Sequence, residues 1–322
     1  MGGGRYSYEE HEALTRARAG LSKEQVFAQG SCHPDMNPRG VAFRESRDSE
    51  AHPASRGIVF AFDVSGSMGE IPVELAQKTL PTFMKSVLTV LPDPQLLFMA
   101  VGNAYESKSP LQVGQFESED ALIDRWLRDI HLEGGGEWRG ESYDLAMYFA
   151  AHHTVLDCFA KRRKKGYFFM TGDEVYYLTM QVAKANEVLG IEAVNDAPIE
   201  VIVDELARTY HPFFLIPDPA RAKHDDVLTH WRRLLGDAVI VLETPEDAAL
   251  AAAMLIGIRE GQLPDAAAIT AKLTGELDLP PLTAARVVRA VEPYAQAVAR
   301  GGGDPPTTRP PVTGIASVRM PG

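Results

Sequence analysis

The chain has 322 residues, with 44 acidic side chains against 32 basic ones and a net charge of −12 at pH 7. This charge excludes nucleic acid and anionic membrane surfaces as main partners, because both are bound through a basic footprint. The two cysteines, Cys32 and Cys158, belong to no metal-binding or redox motif, which indicates a reducing compartment without disulfides. No signal-peptide core follows Met1 and no apolar run reaches membrane-spanning length, so the sequence predicts a cytoplasmic protein without a membrane partner.

Composition divides the chain into four predicted parts. Residues 1–56 are polar and charged, with an amphipathic stretch from Tyr8 to Phe27 and then a connector rich in proline and charge through Pro53, which predicts an irregular arm that wraps the rest of the protein. Residues 57–262 alternate strand-like and helix-like segments and form the predicted main domain. Residues 263–300 contain two Ala- and Leu-rich segments, a helical appendage too small to bury itself alone. Residues 301–322 are rich in Gly, Pro and Thr and are predicted to be disordered.

The alternation within the main domain predicts an α/β fold, with a doubly wound and mostly parallel sheet flanked by helices. Apolar runs of strand length predict buried strands, whereas the alternation of apolar and polar residues in segment 111–116 predicts an edge strand. The predicted strands span residues 58–62, 95–102, 111–116, 167–171, 211–217 and 238–242. The predicted helices start near residue 73 and continue with 121–130, a long helix from 141 to 164, 175–189, 199–209, 224–235 and 246–260, followed by 266–273 and 284–298 in the appendage.

The stretch from Ile58 to Ser67 joins a strand to a group of oxygen-bearing side chains. The apolar run that ends at Phe62 is followed by Asp63, Ser65 and Ser67 at alternate positions. On a loop that leaves a buried strand, a carboxylate and two hydroxyl groups at this spacing can turn toward one point. Oxygen ligands of this kind suit a hard cation such as Mg²⁺, and open α/β sheets bind ligands at the carboxyl ends of their strands.

Two later blocks also combine an apolar segment with a polar loop. The segment 166–174 is a predicted strand that ends in a turn containing Gly172 and Asp173. Between the two strands, residues 133–142 form a glycine-rich loop that ends in Glu141 and Ser142 and leads into a helix. Taken singly, an aspartate or a serine at such a place is more often a helix cap or a turn residue. Three blocks in this order favour one shared site.

These three blocks resemble the metal-ion-dependent adhesion site (MIDAS) of the von Willebrand factor A (VWA) family, and the sequence resembles intracellular bacterial members more than extracellular ones. The resemblance covers residues 57–260 and implies a Rossmann-like VWA fold that binds Mg²⁺, with Mn²⁺ or Ca²⁺ as alternatives. The family typically has a threonine ligand in its middle block, which this sequence lacks; Glu141 stands nearest to that place, with Ser142 second. The implied metal ligands are Asp63, Ser65, Ser67, Glu141 or Ser142, and Asp173, the last usually through water.

The resemblance further implies a Mg²⁺-dependent protein-binding module that captures an acidic side chain of its partner at the metal. Intracellular proteins of this type serve as adaptors, notably for MoxR-type AAA+ ATPases, or as scaffold parts of larger assemblies. A glutamate on the metal would neutralise part of its charge and weaken its attraction for the partner's carboxylate. The predicted partner surface consists of Gly136, Glu137 and Trp138 in the middle loop, where Trp138 either anchors the interface or folds inward over the sheet edge.

Two other functions compete with the adaptor. In the first, the missing threonine leaves the metal site vestigial and the chain is a purely structural subunit. In the second, the chain is a Mg²⁺-dependent hydrolase, but hydrolases of the haloacid dehalogenase kind need Asp-x-Asp, and Ser65 cannot transfer protons as the second aspartate does. The sequence also lacks the Gly-x-Ser-x-Gly, Walker A and His-Glu-x-x-His motifs, so we expect that the chain is not an enzyme.

Overall fold

The computed structural model describes residues 4–65, 68, 70–134, 140–223 and 226–306. The strands are β1 (Arg44–Ser46), β2 (Ser55–Asp63), β3 (Asp93–Val101), β4 (Leu111–Val113), β5 (Thr154–Leu156), β6 (Gly166–Thr171), β7 (Thr179–Met180), β8 (Ala197–Pro198), β9 (Tyr210–Ile216) and β10 (Val239–Val241). The helices are α1 (Tyr8–Arg16), α2 (Lys23–Val26), α3 (Glu70–Glu74), α4 (Leu80–Leu88), α5 (Asp120–Arg128), α6 (Tyr143–His152), α7 (Asp157–Arg162), α8 (Val182–Leu189), α9 (Ile199–Thr209), α10 (Pro219–Lys223), α11 (Val227–Leu235), α12 (Ala248–Arg259), α13 (Ala266–Ala271) and α14 (Pro281–Ala299).

A six-stranded sheet in the order β10-β9-β6-β2-β3-β4 forms the centre of the protein. Neighbouring strands are parallel except at the edge, where β4 pairs antiparallel with β3. Strands β2 and β6 are buried along their whole length, as expected for apolar strands that are covered on both faces. The predicted α/β fold, with a mostly parallel sheet flanked by helices, is confirmed.

The connections of β2 create a crevice at its carboxyl end. Strand β3 follows β2 along the chain and pairs with one side of it, whereas β6 pairs with the other side. Such a reversal of strand order opens a crevice at the carboxyl ends of the strands, where proteins of this class bind ligands. Strand β2 ends at Asp63 and β6 ends just before Asp173, so both predicted acidic ligands lie at this crevice.

The predicted helix from 141 to 164 is wrong, because the segment is interrupted near its middle. Helix α6 ends at His152, strand β5 follows, and α7 begins at Asp157. Strand β5 pairs in parallel with β1, so that Thr154 lies opposite Arg44. Pairing with a distant part of the chain therefore decides the conformation of Thr154 and Val155, whose β-branched side chains already favour strands over helices.

The first part of the chain is also more regular than predicted. It contains α1, α2 and β1, so the expectation of an irregular arm is wrong for these segments. Arg18, which follows α1, donates a hydrogen bond of 2.8 Å to Asp124 of α5, and both side chains are largely buried. The predicted start of another helix is also wrong, since the helix expected at 175–189 begins at Val182.

The last helices pack against the sheet domain of the same chain. Helix α12 is buried along nearly its whole length, and α13 and α14 lie against one another with α14 in contact with α12 and β10. Arg286 of α14 donates two hydrogen bonds, of 2.8 and 2.9 Å, to the carboxylate of Asp247. In the part of the chain that is described, none of the helices combines the length and the apolar character needed to cross a membrane. Residues 307–322, most of the predicted disordered tail, lie outside the described residues.

Candidate functional site

Asp63 is the most deeply buried member of the predicted metal motif, with none of its surface exposed. Its Oδ1 accepts the backbone N–H of Ser65 at 2.8 Å, and its Oδ2 accepts the hydroxyl group of Tyr143 at 2.6 Å. Burial raises the pKa of Asp63 to about 6, and the charge of Asp173 acts in the same direction. The two carboxylates are thus close enough to repel one another, although they come from different strands.

Glu141 has a buried carboxyl oxygen without a partner among the described residues. It is only 3% exposed, and its Oε2 has no hydrogen-bond partner among the described residues. Burial raises the pKa of Glu141 to about 9, with the charges of Asp63 and Glu174 adding to the effect. A buried carboxyl oxygen without a donor is costly, so its neighbourhood is suited to a cation.

A small cavity of about 130 Å³ opens beside these groups. Its lining includes Ser65, Asn103 and Glu141, together with Glu106 and Glu133. Both carboxylate oxygens of Glu133 accept backbone N–H groups, those of Lys108 and Ser109, at 2.8 and 3.1 Å. The cavity is therefore lined by the oxygen-bearing side chains of glutamate, serine and asparagine.

Ser142 has a different role in the structure from Glu141. Its Oγ accepts the backbone N–H of Ala104 at 2.9 Å, and its own N–H donates to the carbonyl group of Gly102 at 3.2 Å. These bonds join the start of α6 to the loop after β3. Ser142 thus already has a structural partner, whereas the Oε2 of Glu141 has none among the described residues. Which of the two would bind a metal ion stays a prediction.

Asp173 forms an ion pair that the sequence did not indicate. The Nε of Arg221, on helix α10, lies 3.2 Å from its Oδ2, and the aspartate is only 4% exposed. A guanidinium group thus provides positive charge at the same edge where a metal ion is expected. Arg221 follows no motif, so only the folded chain brings it to Asp173.

Tyr143 is a second residue that sequence reasoning missed. Its ring packs edge-on against Phe214 and Trp231, with centroid distances of 5.6 and 5.3 Å. Its hydroxyl group lies so close to Gly172 that a Cβ atom there would come within 2.3 Å of it. The glycine before Asp173 therefore makes room for the tyrosine that holds Asp63. Tyr143 reads as a core residue in the sequence, because nothing in its spacing distinguishes it from the apolar positions of α6.

Four of the predicted site residues lie outside the described residues: Ser67, Gly136, Glu137 and Trp138. Within the described ranges, no group of three or more His, Cys, Asp or Glu side chains is placed to hold a metal ion. The three carboxylates of the predicted set, Asp63, Glu141 and Asp173, therefore do not form such a group by themselves. In the prediction, serine hydroxyl groups complete the set and Asp173 acts through water. Asp63, Ser65 and Glu141 are the described members that lie at the cavity or directly beside it.

Comparison with known proteins gives matches among solved structures. No protein-family model and no curated protein matches the sequence. Proximal thread matrix protein 1 from the mussel byssus is similar over 66% of this chain and 50% of its own, at 11% identity and a TM-score of 0.38. The pilus adhesin SpaC from Lactobacillus rhamnosus GG is similar over 66% of this chain and 31% of its own, at 9% identity and a TM-score of 0.42. The chain thus spans half the length of the first protein and less than a third of the second, and similarity at this level carries no argument about function.

Proposed function

We propose that this chain is a protein-binding module that works through a divalent cation, Mg²⁺ in the first place, at the carboxyl ends of β2 and β6. The observation that carries the proposal is the buried Oε2 of Glu141, which has no partner among the described residues and lies at a cavity beside Asp63. A carboxylate oxygen in this position is costly unless a cation compensates it. Mn²⁺ and Ca²⁺ are alternatives with the same preference for oxygen.

The chemistry of the donor set fits such an ion. Carboxylate and hydroxyl oxygens are the ligands of hard cations, and soft ligands are absent from the described lining of the cavity. Asp63, Ser65 and Glu141 would hold the ion, with Ser67 as a further hydroxyl ligand and Ser142 and Asp173 around them. When bound, the ion would supply positive charge and an open coordination position for an oxygen atom of the partner.

The partner proposed here is a protein that presents an acidic side chain. The negative charge of Glu141 would reduce the attraction for that carboxylate, so we expect a weaker and more easily reversed contact than at a site with neutral ligands. Gly136, Glu137 and Trp138 remain the predicted partner surface. An AAA+ ATPase of the MoxR type or a larger assembly remains a proposal from resemblance, as does a cytoplasmic location.

The direct test is calorimetric titration of the EDTA-treated protein with Mg²⁺ and Mn²⁺, beside Asp63→Ala. We expect saturable binding by the unmodified protein and none by the variant. Asp144→Asn is the matched control, because Asp144 is another buried carboxyl group with an oxygen that lacks a partner among the described residues, yet it lies outside the proposed ligand set. Binding that survives Asp63→Ala would contradict the proposal.

A structural subunit with a vestigial metal site is the second candidate. Two observations favour it: Tyr143 donates to Asp63, and Arg221 pairs with Asp173, so both aspartates have partners without a metal ion. The same titration separates the two functions, since a vestigial site predicts no binding of Mg²⁺ or Mn²⁺ by the unmodified protein. A hydrolase at this site has no comparable support.

A further inference from the structure

Ser118, His52 and Asp93 lie close together at the amino ends of β2 and β3. This is the opposite end of these strands from the proposed metal site. The Oγ of Ser118 lies 2.9 Å from Nε2 of His52, and Nδ1 of the same ring lies 3.5 Å from Oδ1 of Asp93. His52 precedes β2, Asp93 is the first residue of β3, and Ser118 lies shortly before α5. A nucleophile, a base and a carboxylate that orients the base are the parts of a hydrolytic triad.

Secondary contacts hold the three side chains in place. The Oδ2 of Asp93 accepts the backbone N–H of Ala54 at 2.8 Å, which leaves Oδ1 facing the imidazole ring. Ser118 and His52 are 3% and 6% exposed, and the side chain of Asp93 is 14% exposed. The 3.5 Å between Nδ1 of His52 and Asp93 is longer than a hydrogen bond, as is common in catalytic sites without a bound substrate. Triad residues are recognised by geometry and not by their positions in the sequence.

The cluster lines a cavity of about 430 Å³. Arg5 and Tyr6 also line it, and the rest of its walls is apolar, including Met84, Leu88, Pro92 and Pro94. A largely apolar cavity with a few convergent polar groups is the usual form of a small-molecule site. Its composition suits an apolar acyl group next to the serine.

The start of α5 provides donors for a developing negative charge. Ser118 directly precedes Glu119, the N-cap residue, whose side chain makes no capping hydrogen bond to the helix. The first-turn N–H groups of a helix lack intrahelical acceptors, and the positive end of the helix dipole points toward them. A backbone N–H just after the nucleophile is the usual donor for the oxyanion of acyl transfer.

The chain's own Gly4 covers the cluster. Its carbonyl oxygen lies 2.8 Å from Nε2 of His52 and accepts the hydroxyl group of Ser118 at 3.2 Å. A ring nitrogen this close to a carbonyl oxygen carries the proton, so in this arrangement His52 cannot accept the proton of Ser118. When Gly4 is displaced, the proton can move to Nδ1 opposite Asp93, and Nε2 becomes the base.

We propose that Ser118, His52 and Asp93 form a hydrolytic site for carboxylic esters with an apolar acyl group, and that Gly4 caps this site. The Oγ of Ser118 attacks the ester carbonyl carbon while Nε2 of His52 takes its proton. The alcohol leaves with that proton, and the acyl group stays on Ser118 as an ester. Water then attacks this ester with His52 as the base, which releases the carboxylic acid and returns the proton to Ser118.

This site is independent of the proposed metal site, because it lies at the amino ends of β2 and β3 and shares no residue with it. It departs from the expectation that the chain is not an enzyme, an expectation that rested on the absence of contiguous motifs. The three residues belong to separate segments, and His52 and Ser118 alone are 66 positions apart. A search for local motifs cannot detect such a constellation.

The experiment is labelling with a fluorophosphonate probe, followed by mass spectrometry of the modified peptide. Gly4→Val is designed to uncap the site, since a side chain at Gly4 would meet the carboxylate of Glu119, and either that flexible side chain or the Gly4 segment must move. A second uncapped form lacks residues 2–6. We expect labelling at Ser118 in both forms, at least about tenfold faster than in the unmodified protein. Ser118→Ala in the Gly4→Val background should abolish it.

Two conservative variants test the triad in the same Gly4→Val background. His52→Gln and Asp93→Asn should each slow labelling by about 100-fold or more, the usual contribution of acid–base catalysis, and should slow hydrolysis of p-nitrophenyl butyrate in parallel. Ser22→Ala is the control at an exposed serine outside both proposed sites and should have no effect. Failure to label Ser118 in both uncapped forms, or rates unchanged by His52→Gln and Asp93→Asn, would overturn the proposal and leave His52 as a clamp for Gly4.

Discussion

The hydroxyl group of Tyr143 donates a hydrogen bond of 2.6 Å to Oδ2 of Asp63, which joins the first turn of α6 to the end of β2. The other oxygen of Asp63 accepts the backbone N–H of Ser65, so both oxygens of this buried group have a donor. The tyrosine ring is held by Phe214 and Trp231. The first acidic residue of the predicted metal motif is therefore positioned by the aromatic core as well as by its own loop.

Tyr143→Phe should weaken both the fold and the metal site. Loss of a buried donor to a carboxyl group is expected to lower the free energy of unfolding by about 1–3 kcal/mol. Loss of the group that orients a ligand should reduce the affinity for Mg²⁺ by about 10- to 100-fold. Urea unfolding and calorimetric titration measure the two effects.

Tyr148→Phe is the matched control, because the hydroxyl group of Tyr148 is buried on the same helix without a partner among the described residues. Removing it should leave stability unchanged or slightly raised, and should leave Mg²⁺ binding unchanged. Equal losses in both variants would contradict a specific role for Tyr143.

Glu141→Gln should stabilise the protein in EDTA and remove its response to Mg²⁺. The amide keeps the shape of the side chain, and it removes the cost of a buried carboxyl group whose Oε2 lacks a partner among the described residues. We expect a gain of about 1–2 kcal/mol without metal, as is common when a functional site is neutralised. Thermal unfolding with and without Mg²⁺ measures both changes. A Mg²⁺-dependent rise of the melting temperature that persists in the variant would exclude Glu141 as a ligand.

The pair Arg18–Asp124 should contribute strongly to the docking of α1 onto α5. Arg18→Met leaves the buried Asp124 with Arg128, at 2.8 Å, as its remaining arginine partner, and is expected to lower the free energy of unfolding by about 1–3 kcal/mol. Arg16→Met is the control, because its pair with Glu12 is solvent-exposed and should change stability by less than about 1 kcal/mol. Urea unfolding and limited proteolysis of the first 50 residues give the comparison. Equal losses of stability in Arg18→Met and Arg16→Met would show that the buried pair contributes no more than an exposed one.

His11 should make stability depend on pH in the acidic range. Burial lowers the pKa of His11 to about 4, while the charges of Asp124 and Asp120 oppose the shift and Arg18 adds to it. The ring also accepts or donates a hydrogen bond of 2.8 Å with Tyr6. The unfolded chain takes up a proton near pH 6.5 and the folded chain only near pH 4, so this stabilisation is present above pH 6.5 and is lost as the pH falls toward 4.

The measurement is urea unfolding of the unmodified protein and His11→Asn at pH 7, 5.5 and 4.5. The difference in the free energy of unfolding between the two proteins should change by up to about 3 kcal/mol from pH 7 to pH 4.5. The unmodified protein should lose more stability than His11→Asn. His33→Asn, at a partly exposed position, serves as the control and should follow the unmodified protein. If the free energy of unfolding changes with pH by the same amount in His11→Asn and in the unmodified protein, the prediction is contradicted.

The sequence was most informative where one physical requirement governs a whole segment. The apolar runs that became β2, β3, β6 and β9 are predictable because a strand covered on both faces excludes polar side chains. Asp63 could be placed at a strand end for the same reason, since it is the first polar residue after its run, and Asp173 follows the Thr171-Gly172 turn that ends the other run. The glycine-rich block before α6 indicated a loop, but not which of Glu141 and Ser142 would keep an oxygen without a partner.

By itself, the sequence determined the α/β class, the parallel strands and the acidic character of their carboxyl ends, because local hydrophobic patterns carry that information. Tertiary structure alone decided the interruption of the long helix at Thr154, where β1 supplies the pairing strand. It also decided the contacts of Tyr143 with Asp63, of Arg221 with Asp173 and of Ser118 with His52. These contacts join residues far apart in the chain, and their energies depend on burial and distance, which no local pattern encodes.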